Sequence, residues 1–435
     1  MDVDKATRVD ARTIFGLALP ALGVLAATPL YLLLDTAVVG RLGATDLAAL
    51  GAATTIQAQV TTQLTFLSYG TTARSARLFG AGDRAAAIRE GVQATWVAFV
   101  VGALLSVVVW CGAPTLTYWL AGDHSVAAEA ALWLRVASLG IPLILATMAG
   151  NGWLRGIQNT RLPLIFTLCG IVPSALLVPF LVSKYGIVGS AWANLIGESI
   201  TFLGFFLALL KAHKGSWAPD FGIIRQQLGM GKDLILRSLL MQISFVSAAA
   251  VAGRFGAASL AAHQVLLQLW SFLTLVLDSL AIAAQALVGA ALGGASIATA
   301  RAVAVKVVRY STVMAAGLSV ILLAGYAVIP RLFTSDEQVL STMQMPWWLM
   351  CAMVLVGGIV FAFDGVLLGA SDVAFLRNAT IASALIGFIP VVWLSLAFDW
   401  GIGGVWVGLA SFIALRAVAV VLRFQSMKWA ESAST

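Results

Sequence analysis

The sequence predicts an all-α membrane protein with twelve transmembrane helices in two six-helix repeats. Three observations support this fold class: the composition, the length of the apolar segments, and a similarity between the two halves of the chain. Of the 435 residues, 60% are hydrophobic and only 10% are charged, and the mean hydropathy is +0.96. A soluble domain is about 45–50% apolar and about 25% charged. Because soluble cores cannot enclose so many apolar side chains, we expect the chain to lie in a lipid bilayer.

The apolar segments are long enough to cross a membrane. A transmembrane helix needs about 20 predominantly apolar residues, and twelve such segments occur in the chain. Their predicted bounds are 13–38, 47–71, 91–113, 126–150, 162–182, 188–210, 233–253, 260–285, 308–329, 346–369, 378–397 and 403–423. The shortest connections between them contain Gly or small polar residues, which are typical of tight turns.

The basic residues lie mainly on one side of these segments. Most of the 26 Lys and Arg residues fall in the N-terminus, in the loops after even-numbered spans and in the C-terminus. Cytoplasmic loops carry an excess of Lys and Arg. We therefore expect a multi-pass protein of the cell (inner) membrane with both termini in the cytoplasm. This topology accounts for the net charge of +7, and no nucleic-acid partner is expected.

The two halves of the chain share short matches at a constant spacing. VGRLGATDLAA at 39–49 matches AGRFGAASLAA at 252–262, and at the same offset GWLRG at 152–156 falls on GVLLG at 365–369. The matches predict an N-terminal six-helix lobe (1–213), a cytoplasmic linker (214–232) and a C-terminal six-helix lobe (233–435). Because six is even, the repeats are parallel, and rocking of two such bundles gives alternating access to a central cleft.

Three acidic residues lie inside predicted spans: Asp35 in span 1, Asp278 in span 8 and Asp364 in span 10. A charged Asp at the centre of a membrane helix costs about 2.5–3.5 kcal/mol and usually marks a transport pathway. Since a carboxyl group alternates between a neutral and a charged form, all three are candidates for coupling transport to protons or sodium. The alternatives are an interfacial structural acid for Asp35 and helix–helix contacts for the other two.

Polar residues on the same helices are candidates for lining a substrate cavity. Several share a helix face with an acid, and span 2 is unusually rich in Thr and Gln. The candidates are Tyr31, Thr28, Gln57, Gln59, Gln63, Asn151, Asn194, Glu198, Gln264, Gln268 and Gln285. Pro20 and Pro29 each remove a backbone donor from span 1 and can kink it.

No motif indicates an enzyme or an ATP-driven pump. The chain contains no GxxxxGK[ST] phosphate loop and no HExxH or GxSxG motif. Its three Cys residues lie far apart, without the spacing of a metal or redox site. We therefore expect no catalytic residue, no metal site and no cofactor.

The stretch LALPALGVLAATPLYLLLDTAVVGRLGATDLAALG (17–51) resembles the first two helices of the MATE (multidrug and toxic compound extrusion) transporters. AAHQVLLQLWSF (261–272), LDSLAIAAQALVG (277–289) and FDGVLLGASD (363–372) resemble the DinF-like branch of that family. The resemblance implies a V-shaped pair of bundles. It also implies export of bulky, often cationic or amphipathic organic compounds, coupled to inward flow of protons or sodium.

The resemblance also implies roles for four positions. The family's first-helix acid falls on Asp35, and the proline at which that helix bends falls on Pro20. The helix 10 acid falls on Asp364, and the helix 6 polar residue that lines the N-terminal cavity falls on Asn194. Span 5 lacks the Asn and Asp of members with a well-defined N-terminal cation site, which favours protons over sodium.

The predicted function is therefore that of a secondary active multidrug exporter. It acts as a monomer in the bilayer and exchanges small organic compounds for protons, with Asp35 as the coupling carboxylate. Sodium coupling is one alternative. A flippase for lipid-linked precursors is another, although it would need basic residues in the cleft, and only Arg135 lies well inside a predicted span. An ion channel is the third.

Overall fold

The computed structural model describes residues 9–431, and every regular element in that range is helical. Residues 1–8 and 432–435 lie outside the described part of the chain. The two chain ends, for which the sequence predicts a cytoplasmic position, are therefore not part of the description.

Six helical spans form the first half of the chain. Their bounds are Ala11–Gly40 (α1), Ala44–Thr62 and Phe66–Gly80 (α2), Arg84–Ala121 (α3), His124–Ser138 and Ile141–Gly156 (α4), Arg161–Tyr185 (α5) and Ile187–Ala212 (α6). Helix α1 is continuous and contains both Pro20 and Pro29.

Six further spans form the second half. Their bounds are Phe221–Arg254 (α7), Ala257–Gly293 (α8), Ile297–Ala324 (α9), Gln344–Gly369 (α10), Val373–Ala397 (α11) and Gly401–Gln425 (α12). One π-helical turn, Ala384–Phe388, interrupts α11. Short helices at Ile329–Phe333 and Glu337–Thr342 connect α9 to α10, and Lys428–Glu431 follows α12.

Within residues 9–431, ten of these helices are long and apolar enough to cross a membrane, and the two segments of α4 together form an eleventh span, bent by 48°. The remaining span, α2, is interrupted at residues 63–65 instead of running unbroken over 47–71 as predicted. The hydroxyls of Thr61 and Thr65 bond to the carbonyls of Gln57 and Thr62, both at 3.0 Å. Such side-chain bonds to the backbone compete with the helical ladder.

The break in α4 has a proline as its cause. Pro142 lies at the start of the second segment and has no N–H for the carbonyl of Ser138, four residues earlier. The Ser106 hydroxyl of α3 donates to that carbonyl instead, at 2.7 Å. The break is therefore held by a neighbouring helix and is a built feature of the fold.

The internal repeat is visible in the local structure of both halves. Gly43, before α2, has φ +140°, and Gly256, at the equivalent position before α8, has φ +111°, conformations that favour glycine. Asp83 caps α3, and Ser296, its equivalent, caps α9. Each half therefore forms the same turns at the same places.

Glycines pack the fourth helix of each half onto the second. A methyl group on Gly152 would lie 2.6 Å from Thr71 Cβ and 2.9 Å from the Ser68 carbonyl oxygen. A methyl group on Gly365, at the equivalent position of α10, would overlap the backbone of Ala281 in α8. The matched motifs GWLRG and GVLLG therefore mark the same close helix contact.

The chain forms two compact units. One is Leu19–Gly231, and the other is Lys232–Thr435 together with the chain up to Ala18. The division within α1 falls next to Pro20. Helix α7 begins at Phe221, twelve residues earlier than span 7 was predicted to begin, so much of the predicted linker at 214–232 is helical.

Candidate functional site

Asp35 lies on the buried face of α1 in the Leu19–Gly231 unit. Its neighbours Leu33, Leu34 and Thr36 are exposed, whereas Asp35 is 1% exposed and Tyr31, one turn earlier, is 6% exposed. The two polar side chains follow the four-residue spacing of one helix face. The acid of the first span therefore points into the protein and away from lipid.

A serine and a tryptophan surround the Asp35 carboxylate. The Ser190 hydroxyl of α6 donates to Asp35 and lies 2.7 Å from Oδ1 and 2.8 Å from Oδ2. Trp133 Nε1, in the first segment of α4, donates to Ser190 Oγ at 3.1 Å. An indole N–H only donates, so it occupies an acceptor site of the serine and leaves the hydroxyl hydrogen directed at the carboxylate. No Lys, Arg or His in the described range 9–431 forms an ion pair with Asp35.

Tyr31 connects the same face of α1 to a second pair of helices. Its hydroxyl lies 2.9 Å from Ser174 Oγ of α5, and Ser174 donates to the carbonyl of Ala193 in α6 at 2.8 Å. Tyr31, one turn from Asp35, is therefore hydrogen-bonded to Ser174, and both Tyr31 and Ser174 line a cavity.

This cavity has a volume of about 420 Å³ and is enclosed by α1, α2, α4, α5 and α6. A volume of this size suits a small organic molecule. Its polar lining residues are Thr28, Tyr31, Thr54, Gln57, Thr61, Thr65, Ser68, Tyr69, Thr147, Asn151, Arg155, Thr167, Ser174, Asn194, Glu198 and Thr201. The other unit has a more open depression of about 700 Å³, lined by uncharged residues that include Trp348 and Trp400. The enclosed cavity is therefore the better candidate site.

Six of the residues predicted from the sequence line this cavity: Thr28, Tyr31, Gln57, Asn151, Asn194 and Glu198. The other five lie elsewhere. Gln59 is exposed and Gln63 half-buried in α2, Gln264 and Gln268 are exposed on α8, and Gln285 is buried there. Asp35 itself does not line the cavity but lies one helical turn from Tyr31, which does.

The cavity is lined by one acidic and one basic residue, Glu198 and Arg155. Arg155 is 5% exposed and donates to the Ser68 hydroxyl at 3.0 Å. The expectation that only Arg135 lies well inside a span is wrong, because the second segment of α4 continues to Gly156 and Arg416 is buried in α12. The signal in the sequence was the spacing of Asn151 and Arg155, which places both on one face of α4.

The two acids of the second half have different surroundings from Asp35. Asp364 Oδ2 accepts from Arg237 of α7 at 2.7 Å and from Arg416 of α12. Two guanidinium groups therefore balance one buried carboxylate. Asp278 is half-buried on α8.

Comparisons with known proteins agree with this fold. The MatE family model matches residues 20–181 and 234–393. The DNA damage-inducible protein F of Escherichia coli is 30% identical over 426 residues, which cover 94% of this chain and 91% of that protein. The probable multidrug resistance protein NorM of Bradyrhizobium diazoefficiens is 29% identical over 434 residues, covering 90% of this chain and 88% of that protein.

Among solved structures, a mutant of the Vibrio cholerae MATE transporter VcmN superposes with a TM-score of 0.89 at 19% sequence identity, covering 98% of each chain. This likeness shows the same twelve-helix fold. The family match covers parts of both halves of the chain, including most of α1, which carries Asp35, and the cavity helices α2, α4 and α5, whereas α6 lies between the two matched ranges. The chain therefore belongs to the MATE family, whose members are membrane transporters and not enzymes.

Proposed function

We propose that this protein exports organic compounds from the cell in exchange for inward-moving protons, and that Asp35 is the group that binds and releases the proton. The observation that carries the proposal is a buried carboxyl group, with no ion pair among residues 9–431, one helical turn from a cavity of suitable size. Relatives named as multidrug resistance proteins support the substrate class.

The surroundings of Asp35 suit a group that changes its charge. Removing an ionised carboxylate from water is costly unless hydrogen bonds or a counter-charge compensate. One serine hydroxyl stabilises the ionised form, and no described cation holds it there permanently. Both the neutral and the ionised form are therefore accessible, as coupling to protons requires.

Proton binding would act on the cavity through α1. Neutralising Asp35 weakens the charge-assisted bond from Ser190, because hydrogen bonds to ionised groups are about twice as strong as neutral ones. The contact between α1 and α6 then loosens, and Tyr31 moves with the same helix face. Pro20 and Pro29 lack backbone donors, which favours bending of α1 in the course of alternating access.

Asp364 is less suited to this role than Asp35. Its carboxylate pairs with the buried Arg416 and the half-buried Arg237, and removing its charge would leave both cations without a counter-charge. Asp278 remains the alternative coupling group in the second half. A proton is a better coupling ion than sodium at Asp35, because hard cations take several oxygen ligands and a single serine is the bonded partner there.

The excess of basic residues in loops on one side supports an orientation in the cell membrane with both termini in the cytoplasm. Export then requires that the cavity opens to the cytoplasm, binds its substrate, and opens to the outside when a proton enters.

A lipid flippase is the second candidate, and Arg155 is the observation that favours it. A buried guanidinium in the cavity is suited to a phosphate group. The cavity also contains Glu198, which would repel that group. Transport of a pyrophosphate-linked lipid by the purified protein in liposomes would support the flippase function over the multidrug exporter function.

Efflux from proteoliposomes under an imposed proton or sodium gradient tests the proposal. The proton gradient should drive export of a lipophilic cation, and Asp35→Asn should abolish export while the protein still elutes as a folded species. Asp399→Asn, at an exposed turn whose φ of +54° Asn tolerates, is the matched control and should export normally. Normal export by Asp35→Asn would refute the role of Asp35.

A further inference from the structure

Helix α9 carries three basic residues near its first end, and together they form what we call the α9 basic patch. They are Arg301, Lys306 and Arg309, of which the two arginines are exposed and the lysine is half-buried. Within residues 9–431, none of the three forms an ion pair. Helix α9 itself contains no Asp or Glu. This end of the helix is therefore a surface of positive charge.

The patch continues into an exposed apolar stripe on the same helix face. Val305 lies four residues from each of Arg301 and Arg309 and is 52% exposed. Val313 and Val320 follow at spacings of one and two turns, and their exposed fractions are 64% and 62%. The buried residues of α9 lie on the opposite face. Positive charge and apolar surface therefore adjoin on the outside of this helix.

The length of α9 places the patch at the depth of lipid headgroups. The helix has 28 residues, whereas about 20 residues cross the hydrocarbon core. Counting about 20 residues back from Ala324, where α9 ends, puts the edge of the hydrocarbon near Val305. Arg301 and Arg309 then lie about 6 Å to either side of that edge, within reach of the headgroups for a long basic side chain. The bias of basic residues in the loops assigns this end to the cytoplasmic leaflet.

The equivalent surface of the first half is covered by the chain itself. Helix α3 is the counterpart of α9, and at the repeat offset Gln93 and Trp96 correspond to the second and third residues of the patch. Gln93 Nε2 donates to the Ala218 carbonyl at 3.1 Å, and Trp96 Nε1 donates to the Trp217 carbonyl at 2.7 Å. Both carbonyls belong to the segment that connects α6 to α7. On α9, the basic side chains at these positions have no acceptor among residues 9–431.

The neighbouring start of α1 does not neutralise the patch. Phe15 of α1 packs edge-to-face on Tyr310 of α9, with ring centroids 5.9 Å apart. The charged residues at this end of α1 are Asp10 and Arg12, which have opposite signs. Asp10 also accepts hydrogen bonds from the backbone N–H and the hydroxyl of Thr13. Because the charges of α1 balance each other, the patch keeps its excess of positive charge.

We propose that the α9 basic patch binds the phosphate headgroup of an anionic phospholipid of the cytoplasmic leaflet, whose acyl chains lie along the exposed valines. Each Lys or Arg near an anionic membrane surface adds about fivefold to the affinity, and a guanidinium group matches the oxygens of a phosphate. A zwitterionic lipid gains less, because its own cation lies next to its phosphate. A soluble anion would gain from the basic residues but not from the apolar stripe. The inference is independent of the cargo and of the coupling role of Asp35.

Native mass spectrometry of the purified protein, titrated with phosphatidylglycerol or phosphatidylcholine, measures the binding of individual lipids. The natural protein should bind one phosphatidylglycerol at least about tenfold more tightly than phosphatidylcholine. The triple variant Arg301→Gln, Lys306→Gln and Arg309→Gln should bind the two lipids with similar affinity, because only the contacts with the acyl chains remain.

The matched control removes the same charge from exposed positions of the first half, through Lys211→Gln, Lys214→Gln and Arg225→Gln. This control should keep the preference for phosphatidylglycerol. A preference that survives in the patch variant, or an equal loss in the control, would overturn the inference. Displacement of phosphatidylglycerol by an equal concentration of glycerol phosphate would also overturn it, because the surface would then be a site for soluble anions.

If the patch variant does not fold, photo-crosslinking of the natural protein decides. Phosphatidylglycerol with a diazirine in its acyl chain should label peptides of α9 that contain Val305 or Val313. Unlabelled phosphatidylglycerol in excess should reduce this labelling, and phosphatidylcholine should not. Labelled peptides that exclude α9, or equal competition by the two lipids, would contradict the proposed site.

Discussion

The Ser190 hydroxyl lies between Asp35 and Trp133, 2.7 Å from the carboxylate and 3.1 Å from the indole nitrogen. All three side chains are buried, at 0–1% exposure. They lie on α6, α1 and α4 and join three helices at one point. Coupling depends on this contact, because a change in the charge of Asp35 alters the hydrogen bond that connects α1 to α6 and α4.

Ser190→Ala removes the donor that stabilises the ionised form of Asp35. The protonated form is then favoured, so the midpoint of the pH profile of export should move to higher pH by about one unit. Export rates measured in proteoliposomes over a range of internal and external pH check this. Ser183→Ala, which removes an exposed hydroxyl bonded to Phe180, should leave the midpoint unchanged. An unchanged midpoint in Ser190→Ala would mean that the serine does not tune Asp35.

Trp133→Phe keeps most of the ring but removes the N–H that orients Ser190. We expect a shift of the pH midpoint in the same direction as Ser190→Ala and smaller. In a double variant that carries both Ser190→Ala and Trp133→Phe, the pH midpoint should equal that of Ser190→Ala alone, because both substitutions act through the same hydroxyl. Trp192→Phe, on an exposed face of α6, is the control. Additive shifts in the double variant would contradict the chain of contacts.

Asp364→Asn should destabilise the protein more than Arg237→Ala. The first change leaves the buried Arg416 and the half-buried Arg237 facing a neutral amide, a loss of about 3–5 kcal/mol. The second leaves the fully buried pair of Asp364 and Arg416. The unfolding temperatures of the variants in detergent check this order. Glu337→Gln, which breaks an exposed ion pair, should change the unfolding temperature little. A lower unfolding temperature for Arg237→Ala would contradict this assignment of charges.

Gly365→Ala and Gly152→Ala should each lower the unfolding temperature. The new methyl group meets the backbone of α8 in one case and of α2 in the other, and overpacking of this kind costs about 1–3 kcal/mol. Gly317→Ala is the matched control within a helix, since nothing lies within 4 Å of the added carbon. It should raise stability slightly, because Ala favours a helix over Gly by about 1 kcal/mol. Equal effects of all three would contradict the proposed close packing.

Local patterns predicted the helices and the inward face of Asp35 and Tyr31, because both depend on neighbours within one or two turns, and matching motifs in the two halves predicted the repeat. The partners Ser190 and Trp133 could not be predicted, since Ser190 is 155 residues from Asp35 and an isolated Ser or Trp carries no signal. Arg155 was missed for a related reason. Hydropathy ends the fourth span near residue 150, whereas packing of Gly152 and Gly156 against α2 continues the helix to Gly156.

The breaks in α2 and α4 were also missed. The break in α2 has side-chain hydrogen bonds in place of the helical ladder. The break in α4 begins at Pro142, and the bond that holds it, from Ser106 to the Ser138 carbonyl, comes from another helix. Sequence patterns within one span therefore predict the presence of a helix more reliably than its continuity.

Infrared difference spectroscopy of the carboxyl C=O stretch tests the central claim most directly, with Glu198→Gln as the background so that Asp35 is observed without the carboxyl group that lines the cavity. The account predicts a protonated carboxyl band that grows as the pH falls through the range in which export is coupled, and that is absent when Asp35→Asn is added. A spectrum in which the Asp35 carboxylate stays ionised throughout that range, with and without substrate, would contradict the account.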